Sequence, residues 1–386
     1  MELRSIRKTV IKNKRVILRV DFNVPIARGK IADDFRIRET LPTVRLLLRH
    51  GNALVLVTHL GRPDSVQRSA FSVAPVARRL SRLLKKKVRF VKDPFSRDGF
   101  RVICALKSGE IVMIENIRFW KGEEQNSPVF AKKLATLGDV FVNDAFGASH
   151  RAHASVVGIA KFLPSYAGLL LEREVHLLLR LTRNPARPFV AILGGAKISD
   201  KLALITRLLR DADGIILGGA LANTIFAHVG FEVGKSVIDT KFQNGRSLYR
   251  NKKILFPYDV VVARAVREGI ATRVKKIGEV TSGDFILDAG PKTLEFFAKS
   301  LRGAKTIVWN GPLGMTDIEQ FNKGTIAFAK MLKKTIAFKV VGGGDTIAVL
   351  RKHNLLSGFS HVSTGGGAML EFLAGKKLPG VEVLRK

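Results

Sequence analysis

The chain has 386 residues, of which 46% are hydrophobic, and its 66 Lys plus Arg outnumber 32 Asp plus Glu to give a formal net charge of +34. That length fits two domains of roughly 150 residues, and the apolar content excludes disorder of the chain as a whole. No run reaches about 18 apolar residues, and the opening M-E-L-R-S-I-R-K-T-V lacks an apolar stretch after its charges, so neither a membrane span nor a secretory signal is expected.

In chain order, apolar runs predict strands at Val16–Val20, Ala53–Val57, Ile111–Ile114, Asp139–Val142, Phe189–Leu193, Gly214–Leu217, Thr306–Trp309 and Phe338–Val341. Helical periods lie between them, as at 36–49, 200–210 and 291–299. Strand and helix in alternation imply parallel sheets covered by helices on both faces, with ligands outside the carboxyl ends of the strands. A proline turn at F-L-P-S-Y leads into a long amphipathic helix and marks the domain boundary. Cys104, the sole cysteine, admits no intrachain disulfide and reads as a small buried hydrophobe in V-I-C-A-L. A soluble cytoplasmic protein is expected.

Four strand ends in the first half carry polar or cationic groups. Asp21 and Asn23 follow the first, His59 and Arg62 the second, Arg118 the third, and Asp144, His150, Arg151 and His153 the fourth. Alone, the first reads as turn chemistry, the second equally as an anion site or an ordinary basic loop, and a single arginine at a strand end means little. Together, with Arg36 beside them, they can line one basic cleft, since guanidinium forks bind carboxylate and phosphate bidentately. His150 and His153 lack a Cys or acidic cluster to complete a zinc set.

The second half places glycines at its strand ends: Gly194 and Gly195 with Lys197 and Lys201, then G-G-A-L-A-N-T, then V-G-G-G-D-T, then S-T-G-G-G-A. Glycine backbones at helix N-termini suit phosphate. Asp345 reads as a helix N-cap, as an Mg²⁺-directed carboxylate, or as both. The segment G-F-E-V-G-K-S has three residues between its glycines where a Walker A loop needs four, so it is a loop. The dinucleotide fingerprint G-x-G-x-x-G is missing, which disfavours a dehydrogenase.

The charge admits three readings: an enzyme for polyanionic small molecules, a nucleic-acid binder, or a compositional bias with no specific partner. The basic residues are scattered over helical patterns, as solvated faces are.

The ordered set R-V-D-F-N-V-P, H-L-G-R-P, N-D-A-F-G-A-S-H-R-A-H, G-G-A-K-I-S-D-K, V-W-N-G-P-L-G, G-G-G-D-T and H-V-S-T-G-G-G-A resembles phosphoglycerate kinase along nearly the whole chain. The resemblance implies an α/β fold of two Rossmann-like three-layer domains, their parallel sheets facing a central cleft and joined by an interdomain helix. It assigns 1–165, with 370–386 packing back, to phosphoglycerate and 166–369, including the helix at 166–181, to the nucleotide. Asp21, Asn23, Arg36, His59, Arg62, Arg118 and Arg151 would bind 3-phosphoglycerate or 1,3-bisphosphoglycerate. Gly195, Lys197, Lys201, Asn310, Pro312, Asp317, Gly343, Gly344, Asp345 and Thr346 would bind ADP or ATP, with Mg²⁺ on Asp345. Arg36 and Lys197 are the expected catalytic cations of a hinge-bending monomer that works in glycolysis. The sequence departs from the family pattern at Ala220, Ala289, Thr316 and Asp317, where glycine, isoleucine, phenylalanine and glutamate are usual. Those departures touch nucleotide affinity and base preference.

Overall fold

The computed structural model of the chain describes residues 1–27, 29–63, 68–243 and 245–386. It divides into two compact units, Met1–His176 with Lys377–Lys386 and Leu177–Lys376. The division falls inside a helix, Leu169–Arg183, which the sequence reading had assigned whole to the second unit.

The first unit contains β1 (Arg15–Arg19), β2 (Ile26–Ala27), β3 (Lys30–Ile31), β4 (Ala53–Val57), β5 (Val88–Val91), β6 (Ile111–Ile114), β7 (Val140–Asn143) and β8 (Ser165–Ala167). Its helices are α1 (Phe35–Arg49), α2 (Ala74–Leu84), α3 (Arg97–Cys104) and α4 (Pro128–Ala135), followed by α5 (Leu169–Arg183), which continues into the second. Six strands form one parallel sheet in the order β5-β6-β4-β1-β7-β8. Alternate residues of each strand serve opposite cores, as the period of two requires. Val16, Leu18, Leu54 and Leu56 meet Ile37, Leu41, Val44 and Leu47 of α1 and Val76 and Leu80 of α2. Ile17, Val55, Val57 and Val112 meet Ile103 of α3 and Phe130 and Leu134 of α4. Each such side chain contributes about 1.5–3 kcal/mol before chain entropy is subtracted.

Capping fixes where the helices begin. Ser96 Oγ accepts Gly99 N–H at 3.1 Å ahead of α3, and Ser127 Oγ accepts Phe130 N–H at 3.4 Å ahead of α4, where Pro128 opens the first turn. Cys104 is exposed, not buried. Helix α3 buries Gly99 and Ile103, and the residue after Ile103 lies about 100° further round the helix.

The second unit contains β9 (Phe189–Leu193), β10 (Gly214–Leu217), β11 (Ile254–Leu255), β12 (Asp259–Ala263), β13 (Thr272–Lys276), β14 (Phe285–Ala289), β15 (Thr306–Asn310), β16 (Phe338–Gly342) and β17 (His361–Val362). Its helices are α6 (Leu202–Asp211), α7 (Ala220–Val229), α8 (Gly245–Tyr249), α9 (Pro291–Ser300), α10 (Lys323–Lys333), α11 (Gly344–Lys352) and α12 (Gly367–Leu373). A second six-stranded parallel sheet runs β11-β10-β9-β15-β16-β17. Beside it stands an antiparallel sheet, β13-β12-β14, outside the parallel pattern expected. Strand β13 is exposed at nearly every residue, so it carries no apolar alternation to read.

The last residues, with α13 (Pro379–Glu382), pack on the first unit. Arg4 N–H donates to Leu384 O at 2.9 Å, Gly380 N–H to Ser149 O at 2.9 Å, and Asn143 Nδ2 to Gly380 O at 3.2 Å.

Trp309, fully buried on β15, packs edge-on against Phe328 at 5.6 Å, and its Nε1–H donates to Gly311 O at 2.8 Å. Trp309→Ala is expected to destabilise the second unit by about 3–5 kcal/mol through lost packing. Trp309→Phe should cost about 1–3 kcal/mol, because it leaves a buried carbonyl unpaired. Urea unfolding followed by far-UV circular dichroism checks both; a Trp309→Phe midpoint equal to the parent's would contradict the role of the hydrogen bond.

Candidate functional site

The carboxyl ends of β1, β4, β6 and β7 carry the polar groups of the first unit. Asp21 Oδ2 pairs with Arg36 Nη1 at 2.9 Å, and the same nitrogen donates to Asn23 O at 3.3 Å. Arg36 lies in the first turn of α1, so the helix holds its backbone while the loop after β1 aims its fork. Asn23 Oδ1 accepts Gly61 N–H at 2.9 Å, and Arg118 Nη1 donates to Gly61 O at 2.5 Å. Three loops are thereby tied at one residue. Arg62 is exposed on the β4 loop. Half-buried Arg151 donates from Nε to His150 Nε2 at 3.2 Å.

Beneath these groups lies Arg19, a buried guanidinium. Its Nε donates to Ser155 Oγ at 2.9 Å, its Nη1 to Val20 O at 2.5 Å, and its Nη2 to His59 Nδ1 at 3.2 Å. Buried Glu123 accepts Ser155 N–H at 2.8 Å and Ser155 Oγ–H at 2.6 Å, and stands 3.6 Å from His153 Nδ1. Burial, then Arg19, Arg118 and Arg36, hold the His59 pKa well below the usual imidazole range. Because Arg only donates, Nδ1 of neutral His59 is the acceptor and its Nε2–H is the donor. The sequence reading missed Arg19, Glu123 and Ser155; the available signal was an arginine inside the apolar run V-I-L-R-V.

In the second unit the ends of β9 and β15 meet backbone to backbone. A Cβ on Gly194 would lie 1.9 Å from Pro312 O, and one on Gly311 2.2 Å from Gly194 O, so no side chain fits at either position. Gly343, at φ 96°, caps α11. A Cβ there would come within 3.4 Å of Asn310 Nδ2 and Gly311 N and 3.6 Å of Thr346 Oγ1. Asn310 Nδ2 and Thr346 Oγ1 are buried without a hydrogen-bond partner. These unpaired polar atoms surround one glycine at a helix N-terminus, an arrangement suited to phosphate oxygens.

Next to this turn a cavity of about 360 Å³ opens within the second unit. Among the candidates, Gly195, Pro312, Asp317 and Asp345 line it, as do all four departures from the family pattern, Ala220, Ala289, Thr316 and Asp317. Lys201 Nζ donates to Gly194 O, and burial lowers its pKa to about 8 against the pull of Asp200 and Asp345. Lys197 and Gly344 are exposed, and neither bounds the cavity. Asp345 lies in the first turn of α11, where Gly343 is the N-cap, so it is not the cap itself. Its exposed carboxylate lines the cavity, and among the described residues no group of three or more His, Cys, Asp or Glu could hold a metal ion. One carboxylate plus phosphate oxygens is the ligand set Mg²⁺ ordinarily takes, so the residues fit that ion.

Sequence reasoning also missed the cavity's far wall. Asp288 is buried there and accepts Gly324 N–H at 2.6 Å and Ala289 N–H at 2.9 Å, while burial raises its pKa to about 7. The segment set aside as a loop does form a turn at Gly230, yet its Lys235 and Ser236 line the cavity.

A family model described as phosphoglycerate kinase matches residues 6–376. The phosphoglycerate kinase of Thermosipho africanus is 46% identical over 99% of this chain and 97% of its own length, and that of Dictyoglomus turgidum 44% identical over 99% and 98%. The solved phosphoglycerate kinase of Coxiella burnetii superposes with a TM-score of 0.84 at 41% identity, covering 99% of each chain. That of Pyrococcus horikoshii gives 0.88 at 34% identity, covering 99% of this chain and 98% of that one. No helix among the described residues is long and apolar enough to cross a membrane. Over its whole length, in sequence as in fold, the chain belongs to the phosphoglycerate kinase family.

Proposed function

We propose that this chain is a monomeric cytoplasmic enzyme that moves a phosphoryl group reversibly from 1,3-bisphosphoglycerate to ADP, giving 3-phosphoglycerate and ATP in glycolysis. The observation that carries this reading is the pairing of two anion sites of different character in one chain. One is a set of guanidinium groups locked by backbone carbonyls, and the other a glycine-lined turn with unpaired buried donors beside a cavity.

On this reading the first unit takes the acid substrate. Arg62, Arg118 and Arg151 meet its phosphate, Asp21 and Asn23 orient the hydroxyl and carboxyl end, and the His59 Nε2–H donates. The second unit takes the nucleotide. Gly195, Pro312 and Asp317 contact it from the cavity; Gly343, Gly344, Thr346, Asn310 and Lys201 hold its phosphates. Asp345 would hold Mg²⁺ through those phosphates, and the bound ion would neutralise charge on the nucleotide.

Both nucleophiles, a carboxylate one way and a nucleotide phosphate the other, are already ionised at pH 7, so no general base is required. Catalysis then consists of alignment and charge stabilisation. Arg36 and Lys197 supply that charge. Arg36 starts paired with Asp21, and the transferring group, more negative than the carboxylate, competes for its fork.

ATP formation from 1,3-bisphosphoglycerate, ADP and Mg²⁺ in a coupled assay tests the reading, and a purified protein without turnover defeats it. Arg36→Ala is expected to lower kcat about 10²–10³-fold while weakening 3-phosphoglycerate binding less than about tenfold. Equal losses in the two would remove its transition-state role.

The Lys201 pKa of about 8 sets a pH dependence. Below it the ammonium is present to meet phosphate; above it the amine is neutral. Nucleotide affinity by calorimetry should therefore hold through pH 7 and fall as pH rises through about 8, with proton uptake on binding. In Lys201→Gln affinity is lower throughout and the inflection is gone. An unchanged inflection in that variant would assign the effect elsewhere.

A further inference from the structure

We infer that the amino ends of the first unit's parallel strands form a second basic surface, which binds the phosphate backbone of nucleic acid without reading its sequence. The proposed substrate residues occupy the carboxyl ends of this sheet. The opposite rim consists of the turns that enter the strands, and the order β5-β6-β4-β1 sets four of them side by side. At the ~4.8 Å spacing of paired strands, that row is about 15 Å long.

Lys12 and Lys14 enter β1, and Arg49 closes α1 ahead of β4. Lys85, Lys86 and Lys87 enter β5, and Lys107 precedes β6. All are exposed. Lys86 reaches over the neighbouring turn, since a Cβ on Gly109 would come within 3.3 Å of its Nζ.

Local compensation is small. Glu110 is taken by Arg89 at 2.6 Å and by Lys107 N–H at 2.9 Å. Asp139, ahead of β7, accepts Arg15 N–H at 2.8 Å. Cations here also face the C-termini of α1, α2 and α3, but each helix end carries roughly half a negative charge, about one and a half in all. That leaves most of the row's positive charge unmatched. The excess is concentrated in the sequence: between Glu39 and Asp93 the one acidic residue is Asp64.

Lysines act as point charges that meet phosphate without fixed geometry. A 15 Å row matches the length over which one strand of duplex DNA presents about four phosphates at ~3.4 Å each. A lipid surface would reward apolar side chains among the cations, yet among the described residues Val10 is the one exposed large hydrophobic that falls in these turns. The inference is independent of the kinase reading.

Fluorescence anisotropy of the full chain with a fluorescein-labelled oligouridylate, across a potassium chloride series, tests it. Affinity is expected to fall linearly with log salt, by roughly 0.7 per contacted phosphate. A K85Q/K86Q/K87Q variant should reduce that slope by about 2 and low-salt affinity about tenfold or more, with turnover in the kinase assay unchanged. A K330Q/K333Q/K334Q variant removes equal charge from exposed positions in the second unit and should bind within about twofold of the parent if the rim is specific. Equal losses in both triples would reduce the effect to net charge and overturn the assignment. So would absence of salt-sensitive binding by the parent, or binding to phosphatidylserine vesicles that oligouridylate does not compete away. If the first triple fails to fold, K12Q/K14Q/K107Q reads the same rim.

Discussion

Burying both faces of a parallel sheet leaves polar chemistry only the strand ends, and that constraint organises this chain. Residues of β4, β6, β7 and β9 are buried along their whole length. No ionisable group along them can reach water without leaving the sheet. Functional side chains therefore collect in the loops beyond the carboxyl ends, where helices begin and their N–H groups point outward. The amino ends receive the turns, and with them the lysines that have no part in the first unit's proposed substrate site.

The first unit pays for this concentration in electrostatics. Arg19, Arg36 and Arg118 repel one another, and the repulsion shows in the depressed pKa of His59 and in the lowered pKa of Arg118, which burial dominates. Their geometry survives because each guanidinium is anchored by a backbone carbonyl: Val20 O for Arg19, Asn23 O for Arg36, Gly61 O for Arg118. Buried Asp21 and Glu123 offset the charge, with half-exposed Glu124 at 3.1 Å from Arg118 Nε. On the proposed reading an incoming dianion would relieve this repulsion, drawing on charge already desolvated and oriented. Such a site gains little from rearranging its own side chains and much from the arrival of the ligand.

Legibility in the sequence followed the same physics. Strands buried on both faces are continuous apolar runs, and the central ones of both parallel sheets were readable as such. The edge strands β8, β11 and β17 are short, β5 interrupts its apolar run with exposed Arg89, and β13 has hardly a buried residue, so no hydrophobic run announces them. Candidate residues at strand ends were readable because Asp, Asn, His and Arg stand out against the apolar runs they follow. Glu123, Ser155 and Asp288 were not. Each acts through contacts with residues distant in sequence, Ser155 with Arg19 and Asp288 with Gly324, and spacing along the chain carries no trace of such pairs.

The separation of the turn around Gly343 from the neighbouring cavity bears on the departures from the family pattern. Ala220, Ala289, Thr316 and Asp317 all line the cavity, whereas Asn310, Gly343 and Thr346 gather at the turn. If the phosphates sit at the turn, the cavity takes the nucleoside, and changes in its wall alter uniform binding of reactant and product nucleotides alike. Uniform binding moves KM and leaves kcat in place. The cavity wall is itself closely packed at Gly314, where a Cβ would strike Asp288 Oδ1 at 2.3 Å and Phe321 O at 2.5 Å. Asp288 holds the start of α10 through Gly324 N–H, and the loop that carries Thr316 and Asp317 is tied beside it by Met315 N–H to Leu287 O at 2.8 Å and Asn322 Nδ2 to Thr316 O at 3.3 Å. On the proposed reading, drift in the cavity wall leaves phosphoryl transfer in place because none of these bonds reaches Asn310, Gly343 or Thr346 at the turn.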